Sequence, residues 1–447
     1  MKSELLLVLA LSLCVSSKPL SKRRTYNKLL LISFDGFRWD YDQDANTPNL
    51  DELVKEGVKA KYINLPAITM TSPSHFTTIT GKYDCILIYV VHNLMFNDKT
   101  GLRVPHKATL KISEWWDNGA LPLWITAQNQ GLKTASFLYP GGGVNYSGQA
   151  VDHFLVEDHG QPDDNETEWR QNIDTVMGWF TKEEFDFVTL YYGEPDTVGH
   201  TFGPETPERI KIIEQIDCTI GYLREAIHKN GLTDHLNVIL SSDHGVTTVK
   251  MASEVNEIKL SNYMSLFNLA HFDLLDYGGF GMITPREGKG QEVYDSLKNA
   301  HPNLTVYKQE EIPEHFHIRK HERIQPIVLL ADLGFNSNSR VILHINKGDH
   351  GFSNEEMDMK MIFRAFGQDF RDNFSAEPFD SVSIYPLMCK LLGVVPEANN
   401  GSLSDTKDIL VDNFDAGGSS GRIKVSEPSA TNDNYLNLNL KRFAKTN

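Results

Sequence analysis

Leu29-Leu30-Leu31-Ile32-Ser33-Phe34-Asp35-Gly36 is an apolar run that ends in an acidic residue and a glycine. A short, nearly continuous apolar run of this kind is typical of a buried strand in a parallel sheet. Open α/β sheets bind their ligands outside the carboxyl ends of the strands. The stretch therefore predicts a central strand that delivers Asp35 to a functional site.

Similar apolar runs alternate with helical patterns along the chain. The patterns predict strands at about 134–139, 185–192, 237–242 and 341–345, and helices at about 47–57, 165–180, 206–230, 292–300 and 381–392. The 206–230 segment has isoleucine and leucine at three- and four-residue steps, which indicates a single buried stripe. This alternation favours an α/β fold with a central, mostly parallel sheet and helices on both faces.

Residues 69–81 read TMTSPSHFTTITG, a hydroxyl-rich run that is by default a surface loop. Three Asp/His pieces follow it: Asp196-x-x-x-His200, Asp243-His244-Gly245 and Asp349-His350-Gly351. Each piece alone is most often a turn, a helix cap or a solvated helix face. Their joint occurrence after strand-like runs favours a two-metal hydrolase, with Thr71 as the nucleophile.

The metal-ligand candidates divide into two groups of imidazole and carboxylate donors, a mixture that zinc accepts. We expect one Zn²⁺ at Asp196, His200 and His350, and the other at Asp35, Asp243 and His244 with the Thr71 hydroxyl. Two ions about 3.5–4 Å apart can clamp the attacking and leaving oxygens of a phosphoryl transfer. A hydroxyl on a metal loses its proton readily, so threonine needs no histidine base.

Bulk composition limits the classes of partner and fold. The chain has 447 residues, a formal net charge of −16 and a pI near 5.5, so it offers no basic surface for nucleic acid. Cys85, Cys218 and Cys389 allow at most one intramolecular disulfide, so the core must hold the fold. We expect a monomer with one catalytic domain over 25–400, in which the less regular region 250–332 is an insert or a cap.

The ends of the chain predict an extracellular protein, secreted or at the outer cell surface. Residues 1–17 have the pattern of a signal peptide, with Lys2 before an apolar run. No later run is long and apolar enough to span a bilayer, and the polar segment 402–447 predicts a disordered tail. Glycosylation sequons agree with secretion and begin at Asn145, Asn165, Asn303, Asn373 and Asn400.

Five motifs together resemble those of the ecto-nucleotide pyrophosphatase/phosphodiesterases, a family of the alkaline phosphatase superfamily. They are Ser33-Phe34-Asp35-Gly36-Phe37-Arg38, Met70-Thr71-Ser72-Pro73, Gly193-Glu194-Pro195-Asp196-x-x-Gly199-His200, Ser242-Asp243-His244-Gly245 and Gly348-x-His350-Gly351. The resemblance extends from about residue 28 to residue 395. It implies an alkaline-phosphatase-like three-layer fold, two zinc ions and a covalent intermediate on threonine.

Further stretches are similar to the branch of this family that cleaves sphingomyelin, among them Trp115-Trp-Asp-Asn-Gly and Asn165-Glu-Thr-Glu-Trp. This similarity implies phospholipase C-type cleavage to ceramide and phosphocholine at a lipid or micelle surface. It also implies that Tyr139 and Phe272 contact the choline cation through their rings, although ordinary packing explains them equally well. Nucleotides, glycerophosphocholine and lysophospholipids remain alternative substrates. Relatives of this branch carry a hydrophobic C-terminal anchor, which residues 440–447 do not resemble.

One region departs from the family pattern. After Gly81-Lys82-Tyr83 the family usually continues to a His-Gly pair and then to an asparagine that binds a phosphoryl oxygen; here residues 84–91 lack that pair. Asn93 still matches the phosphoryl-binding position. Loss of such a donor costs on the order of 10²–10³ in rate. A catalytically weak, secreted binding protein is therefore a further alternative.

Overall fold

The structure, a computed structural model, describes residues 26–83, 90–91, 94–97, 102–156, 165–249, 256–264, 272–274, 278–319, 324–338, 346–412 and 414. Several predictions from the sequence lie outside these residues. They are the signal peptide at 1–17, the altered run at 84–89, Asn93, the strand at 341–345 and the tail beyond residue 414.

Within the described ranges the chain alternates strands and helices. The helices are α1 (Pro48–Lys55), α2 (Thr71–Thr80), α3 (Ser113–Trp116), α4 (Leu123–Gln128), α5 (Glu166–Thr181), α6 (Asp196–Phe202), α7 (Pro207–Lys229), α8 (Gly290–Leu297) and α9 (Ile384–Leu392). The first strands are β1 (Lys28–Phe34), β2 (Gly57–Ala60), β3 (Ile63–Asn64), β4 (Val90–Val91), β5 (Leu94–Asn97), β6 (Leu102–Pro105), β7 (Thr134–Phe137), β8 (His153–Leu155), β9 (Phe187–Tyr192) and β10 (Leu236–Ser242). The later strands are β11 (Thr247–Thr248), β12 (Glu257–Lys259), β13 (Phe272–Leu274), β14 (Phe280–Pro285), β15 (Leu304–Lys308), β16 (Ile327–Ala331), β17 (Asn336–Asn338), β18 (Gly348–Asp349), β19 (Phe363–Phe366), β20 (Phe374–Ala376) and β21 (Phe379–Asp380). None of the helices in the described ranges has both the length and the apolar character needed to cross a membrane.

The eight-stranded central sheet has the order β20-β2-β19-β10-β1-β9-β7-β8. Strand β1 lies between β10 and β9 and is parallel to both, so that Leu31 pairs with Ile239 on one side and Thr189 on the other. Strands β7 and β8 continue the parallel set, whereas β19 runs antiparallel to β10 and to β2. The expected α/β fold with a mostly parallel sheet is confirmed.

Helices cover both faces of this sheet. Side chains alternate across each strand, so apolar residues on both faces need a covering layer. Leu30 and Ile32 of β1 belong to a core with α1, α5 and α7, whereas Leu29 and Leu31 belong to a core with α2, α4 and α9. The result is the three-layer architecture that the sequence resemblance implies. The layers leave the carboxyl ends of β1, β9 and β10 at one edge of the sheet.

The structure corrects two local interpretations of the sequence. Residues 71–80, whose composition is typical of a loop, form the buried helix α2, which Gly81 ends in the left-handed region at φ 68°. The polar tail begins later than residue 402, since Ile409 and Leu410 are buried against the core.

Residues 256–338 include a second, smaller sheet in the region where an insert or cap is expected. Its order is β13-β14-β16-β15, and all neighbours are antiparallel. Helix α8 packs on this sheet through Val293 and Leu297, which join a separate hydrophobic cluster. Phe280 and Met282, on β14, belong to one hydrophobic cluster with Met70, which lies just before α2. The small sheet therefore packs against the segment that leads into α2.

An ion pair between a buried guanidinium and a partly exposed carboxylate joins α7 to the loop before α1. Arg209 is only 1% exposed, and its guanidinium donates two hydrogen bonds of 2.5 Å to the carboxylate of Asp44. The side chain of Asp44 is 51% exposed. These hydrogen bonds hold the pKa of Asp44 below its ordinary value. Since the folded-state pKa is depressed, the stabilisation is present above the unfolded pKa of about 3.9 and is lost as the pH falls.

We predict that Asp44→Asn lowers the free energy of unfolding by about 1–2 kcal/mol at pH 7, a value reduced by solvent screening at the exposed carboxylate. The difference from wild type should shrink as the pH is lowered towards 3. Urea unfolding at several pH values measures both. Glu225→Gln, which removes an exposed helical pair with Lys229, is the matched control and should change stability by less than about 0.5 kcal/mol. An equal effect of the two substitutions would contradict the prediction.

Candidate active site

The predicted metal ligands converge at the carboxyl edge of the central sheet. Strand β1 ends just before Asp35, β9 leads through a short loop into α6, and β10 is followed directly by Asp243 and His244. Strand β18 includes Asp349 and brings the adjacent His350 to the same place. All six side chains are buried or nearly so: Asp35, Asp196, His200, Asp243, His244 and His350.

Asp196, His200 and His350 form the first group, with one ligand atom from each within 4.8 Å of the others. Helix α6 places Asp196 and His200 one turn apart, so that His200 Nε2 lies 3.1 Å from the Asp196 carboxylate. The Nδ1 atoms of His200 and His350 contact the carbonyl oxygens of Gly348 and Thr69, at 2.8 and 3.1 Å. A carbonyl only accepts, so each Nδ1 carries a proton, and Nε2 is the atom of each ring that could bind a cation.

Asp35, Asp196 and His244 form the second group, so Asp196 belongs to both. This differs from the expectation that Asp196 serves only the first group. His244 Nε2 is 3.4 Å from both Asp35 Oδ1 and Asp243 Oδ2. The other oxygen of Asp243 accepts backbone N–H bonds from Gly36 and His244, each at 2.9 Å, which orients Oδ2 towards the centre. Thr71 Oγ1 completes the group, 3.3 Å from His244 Nε2.

This geometry fits divalent cations. Asp35 Oδ1, Asp196 Oδ1 and Asp243 Oδ2 are buried and accept no hydrogen bond from the residues that the structure describes. Burial, together with the charges of Asp243 and Asp196, raises the pKa of Asp35 well above its ordinary value. Burial opposes the charge on His200, but Asp196 still raises the pKa of this histidine to about 10. In the metal-free protein, protons would thus occupy these groups. Binding of a cation would release the protons.

Thr71 is the first residue of α2, and the nine residues after it in the helix are all buried. Thr71 itself is half-buried, and its hydroxyl lies beside the metal-ligand groups, 3.3 Å from His244 Nε2. The unpaired N–H groups and the dipole of a helix N-terminus favour an anion. The nucleophile candidate therefore lies where a phosphoryl group would be stabilised.

Three residues that the sequence analysis did not single out support the site. The Tyr191 hydroxyl donates a 2.5 Å hydrogen bond to Asp35 Oδ2, and Ser242 Oγ lies 3.2 Å from Asp243 Oδ1. His75, on α2, lies 2.8 Å from Ser33 Oγ through its Nε2, and its pKa is lowered by burial. Tyr191 pairs with Ser33 in the parallel register of β9 and β1. Knowledge of this register would have indicated that Tyr191 lies near Asp35.

Tyr139 and Phe272, the predicted choline contacts, lie outside the metal-ligand groups. Tyr139 is 3% exposed and its hydroxyl donates to the carbonyl oxygen of His75, while Phe272 is 6% exposed in the core of the small sheet. Neither ring offers an open face in this structure, so burial argues against a choline contact. Asn93 lies outside the described residues, and its role stays a prediction. The five sequon asparagines are at the surface, where Asn303 is half-buried and the other four are exposed.

We predict that Asp35→Asn has opposite effects on the metal-free and metal-loaded proteins. Without metal it should raise the free energy of unfolding by about 1 kcal/mol or more, because a buried carboxylate must otherwise keep its charge or take up a proton. With metal it should lower stability, because a ligand is lost. Thermal unfolding with and without a chelator measures both. A loss of stability in both states would contradict the cation assignment.

Comparison with known proteins agrees with this geometry. Residues 29–353 match the family model of the type I phosphodiesterases/nucleotide pyrophosphatases. The chain is 53% identical over 395 residues to human ectonucleotide pyrophosphatase/phosphodiesterase family member 7, covering 88% of this chain and 85% of that protein. It is 33% identical over 395 residues to human bis(5'-adenosyl)-triphosphatase ENPP4, covering 87% and 83%.

Solved structures of another relative are also similar. Human ectonucleotide pyrophosphatase/phosphodiesterase 5 has a TM-score of 0.79 at 36% identity, covering 86% of this chain and 99% of that one. An inactive threonine-to-alanine variant of the murine protein in complex with AMP has a TM-score of 0.80 at 34% identity, covering 86% and 100%. The chain belongs to the type I phosphodiesterase/nucleotide pyrophosphatase family and is a phosphoric diester hydrolase.

Proposed function

We propose that this chain is a zinc-dependent phosphodiesterase that cleaves sphingomyelin to ceramide and phosphocholine, with Thr71 as the nucleophile. The observation that carries the proposal is the Thr71 hydroxyl, 3.3 Å from His244 Nε2 at the N-terminus of α2 and beside the buried carboxylates. The mixed imidazole and carboxylate donors support zinc over magnesium or calcium, which prefer oxygen ligands. The similarity to family member 7, at 53% identity, supports the lipid substrate.

In this mechanism Asp196, His200 and His350 would hold one zinc ion, and Asp35, Asp243 and His244 the other. Bound zinc supplies positive charge for the phosphoryl oxygens and lowers the pKa of a coordinated hydroxyl. Thr71 Oγ loses its proton to solvent, attacks phosphorus and forms a P–O bond, and the bond from phosphorus to the ceramide oxygen breaks. The ceramide alkoxide leaves with a proton from solvent.

The first turn of α2 directs its N–H groups towards the phosphoryl group and stabilises the developing charge. Phosphocholine then remains esterified to Thr71. Water attacks phosphorus in the second step, the P–O bond to threonine breaks, and the hydroxyl of Thr71 is restored. Two displacements at phosphorus divide one difficult hydrolysis into two easier reactions.

The proposal places the protein outside the cell, where it meets lipid as a bilayer or micelle surface. The signal-peptide pattern at 1–17 and the surface position of the five sequon asparagines support this location. We propose a monomer, in which one chain provides every residue of the mechanism. Tyr139 and Phe272 are buried, so the proposal assigns the choline contact to neither ring.

We predict that the purified protein releases phosphocholine from sphingomyelin micelles, that a chelator abolishes release, and that added zinc restores it. Thr71→Ala should lower kcat by on the order of 10³-fold or more, since the attacking oxygen is removed. Thr80→Ala, at a buried hydroxyl in the same helix that bonds to Phe76, is the matched control. It should keep near-normal activity. Phosphocholine release that persists in Thr71→Ala would exclude this mechanism.

A nucleotide ester is a second candidate substrate. It is favoured by the murine relative that binds AMP and by the relatives named bis(5'-adenosyl)-triphosphatases. A panel of sphingomyelin, lysophosphatidylcholine, glycerophosphocholine and diadenosine triphosphate separates these classes by kcat/KM. We expect sphingomyelin to give the highest value. A higher kcat/KM for diadenosine triphosphate would contradict the lipid assignment and make a nucleotide the preferred substrate. The threonine mechanism would not be affected.

A further inference from the structure

His75 is a buried histidine that none of the metal-ligand groups includes. It lies one helical turn after Thr71 on α2 and is 1% exposed. Its Nδ1 contacts the backbone carbonyl oxygen of Thr71 at 2.8 Å, and its Nε2 contacts Ser33 Oγ at 2.8 Å. The imidazole thus connects the first turn of the nucleophile's helix to the central strand β1.

The partners of His75 determine its tautomer. A carbonyl oxygen only accepts hydrogen bonds, so Nδ1 must carry a proton and donate it to Thr71. The hydroxyl of Ser33 can then donate to Nε2. The same Nδ1 is 3.4 Å from Asp243 Oδ2, the oxygen that faces the metal-ligand groups. This N–H group therefore donates to the nucleophile's backbone and lies beside a predicted metal ligand.

Two tyrosines hold the plane of this imidazole. The rings of Tyr139 and Tyr191 contact it edge to face, with centroids 5.0 and 5.3 Å away and interplanar angles of 89° and 80°. The Tyr139 hydroxyl also donates to the carbonyl oxygen of His75. Tyr191 in turn donates to Asp35. Both tyrosines that contact the ring therefore also contact the site or the helix.

We propose that His75 is a positioning residue, whose Nδ1–H sets the place of Thr71 relative to Asp243 and His244. The inference rests on the proposed role of Thr71 as nucleophile. Reacting atoms must be held close to the attack geometry, and a misplacement of about 1 Å costs on the order of 10²-fold in rate. His75 orients the nucleophile for attack and is not proposed to bind the substrate. Its loss should therefore lower kcat and leave KM unchanged.

Two substitutions separate positioning from packing. Asparagine places its amide nitrogen where histidine has Nδ1, whereas glutamine places its nitrogen where histidine has Nε2. His75→Asn should therefore keep kcat within about 3-fold of wild type. His75→Gln should lower kcat by about 10- to 100-fold at unchanged KM. Packing alone predicts the opposite order, because glutamine fills more of the imidazole volume than asparagine.

The assay uses the zinc-loaded protein and bis(4-nitrophenyl) phosphate, an activated diester that makes no assumption about the lipid. Metal content and thermal unfolding are measured for each variant. Glutamine activity equal to or above asparagine activity would overturn the proposal. A loss of metal in His75→Gln that accounts for its lower kcat would also overturn it, because His75 would then act through Asp243 alone.

The same assay distinguishes failure of the proposed function. If Thr71→Ala hydrolyses the aryl diester as fast as wild type, the nucleophile assignment fails and the His75 proposal fails with it. If wild type cleaves the aryl diester through Thr71 but does not cleave sphingomyelin, only the lipid assignment fails. The order of the His75 variants on the aryl diester then still decides the positioning role.

Discussion

Negative charge buried at one edge of the central sheet is the constraint on which the rest of the structure depends. Asp35, Asp196 and Asp243 follow three adjacent parallel strands and place their carboxylates within a few ångströms of shared histidines. Such a cluster is costly in a medium of low dielectric constant, as the raised pKa of Asp35 indicates. Divalent cations offset that cost, so metal binding and stability are coupled in this fold.

The segment before and within α2 connects this cluster to Thr71, the proposed nucleophile. The carbonyl oxygen of Thr69 accepts hydrogen bonds from His350 Nδ1 and from the backbone N–H of Gly351. Two residues later, the carbonyl oxygen of Thr71 accepts from His75. The backbone on either side of Met70 is thus held by imidazoles that face the site. His350 and the Thr71 hydroxyl, the proposed metal ligand and nucleophile, are consequently positioned by the same short stretch of chain.

Much of this arrangement could be predicted from the sequence, because it depends on local patterns. Parallel strands that end in acidic residues identified Asp35 and Asp243, and the four-residue step identified His200 opposite Asp196 on one turn of helix. The sequence could not show that residues 71–80 are a helix, because its hydroxyl-rich composition is overridden by burial against α9. It also missed Tyr191, whose role arises from pairing between strands far apart in the chain.

The most direct test of the account is mass spectrometry of the protein quenched during turnover of sphingomyelin. Trypsin cleavage after Lys61 and Lys82 releases residues 62–82 as one peptide that contains Thr71. The account predicts that this peptide gains the mass of a phosphocholine ester and that fragmentation places the ester on Thr71. Turnover without an adduct, or an adduct on another residue of the peptide, would contradict the threonine mechanism.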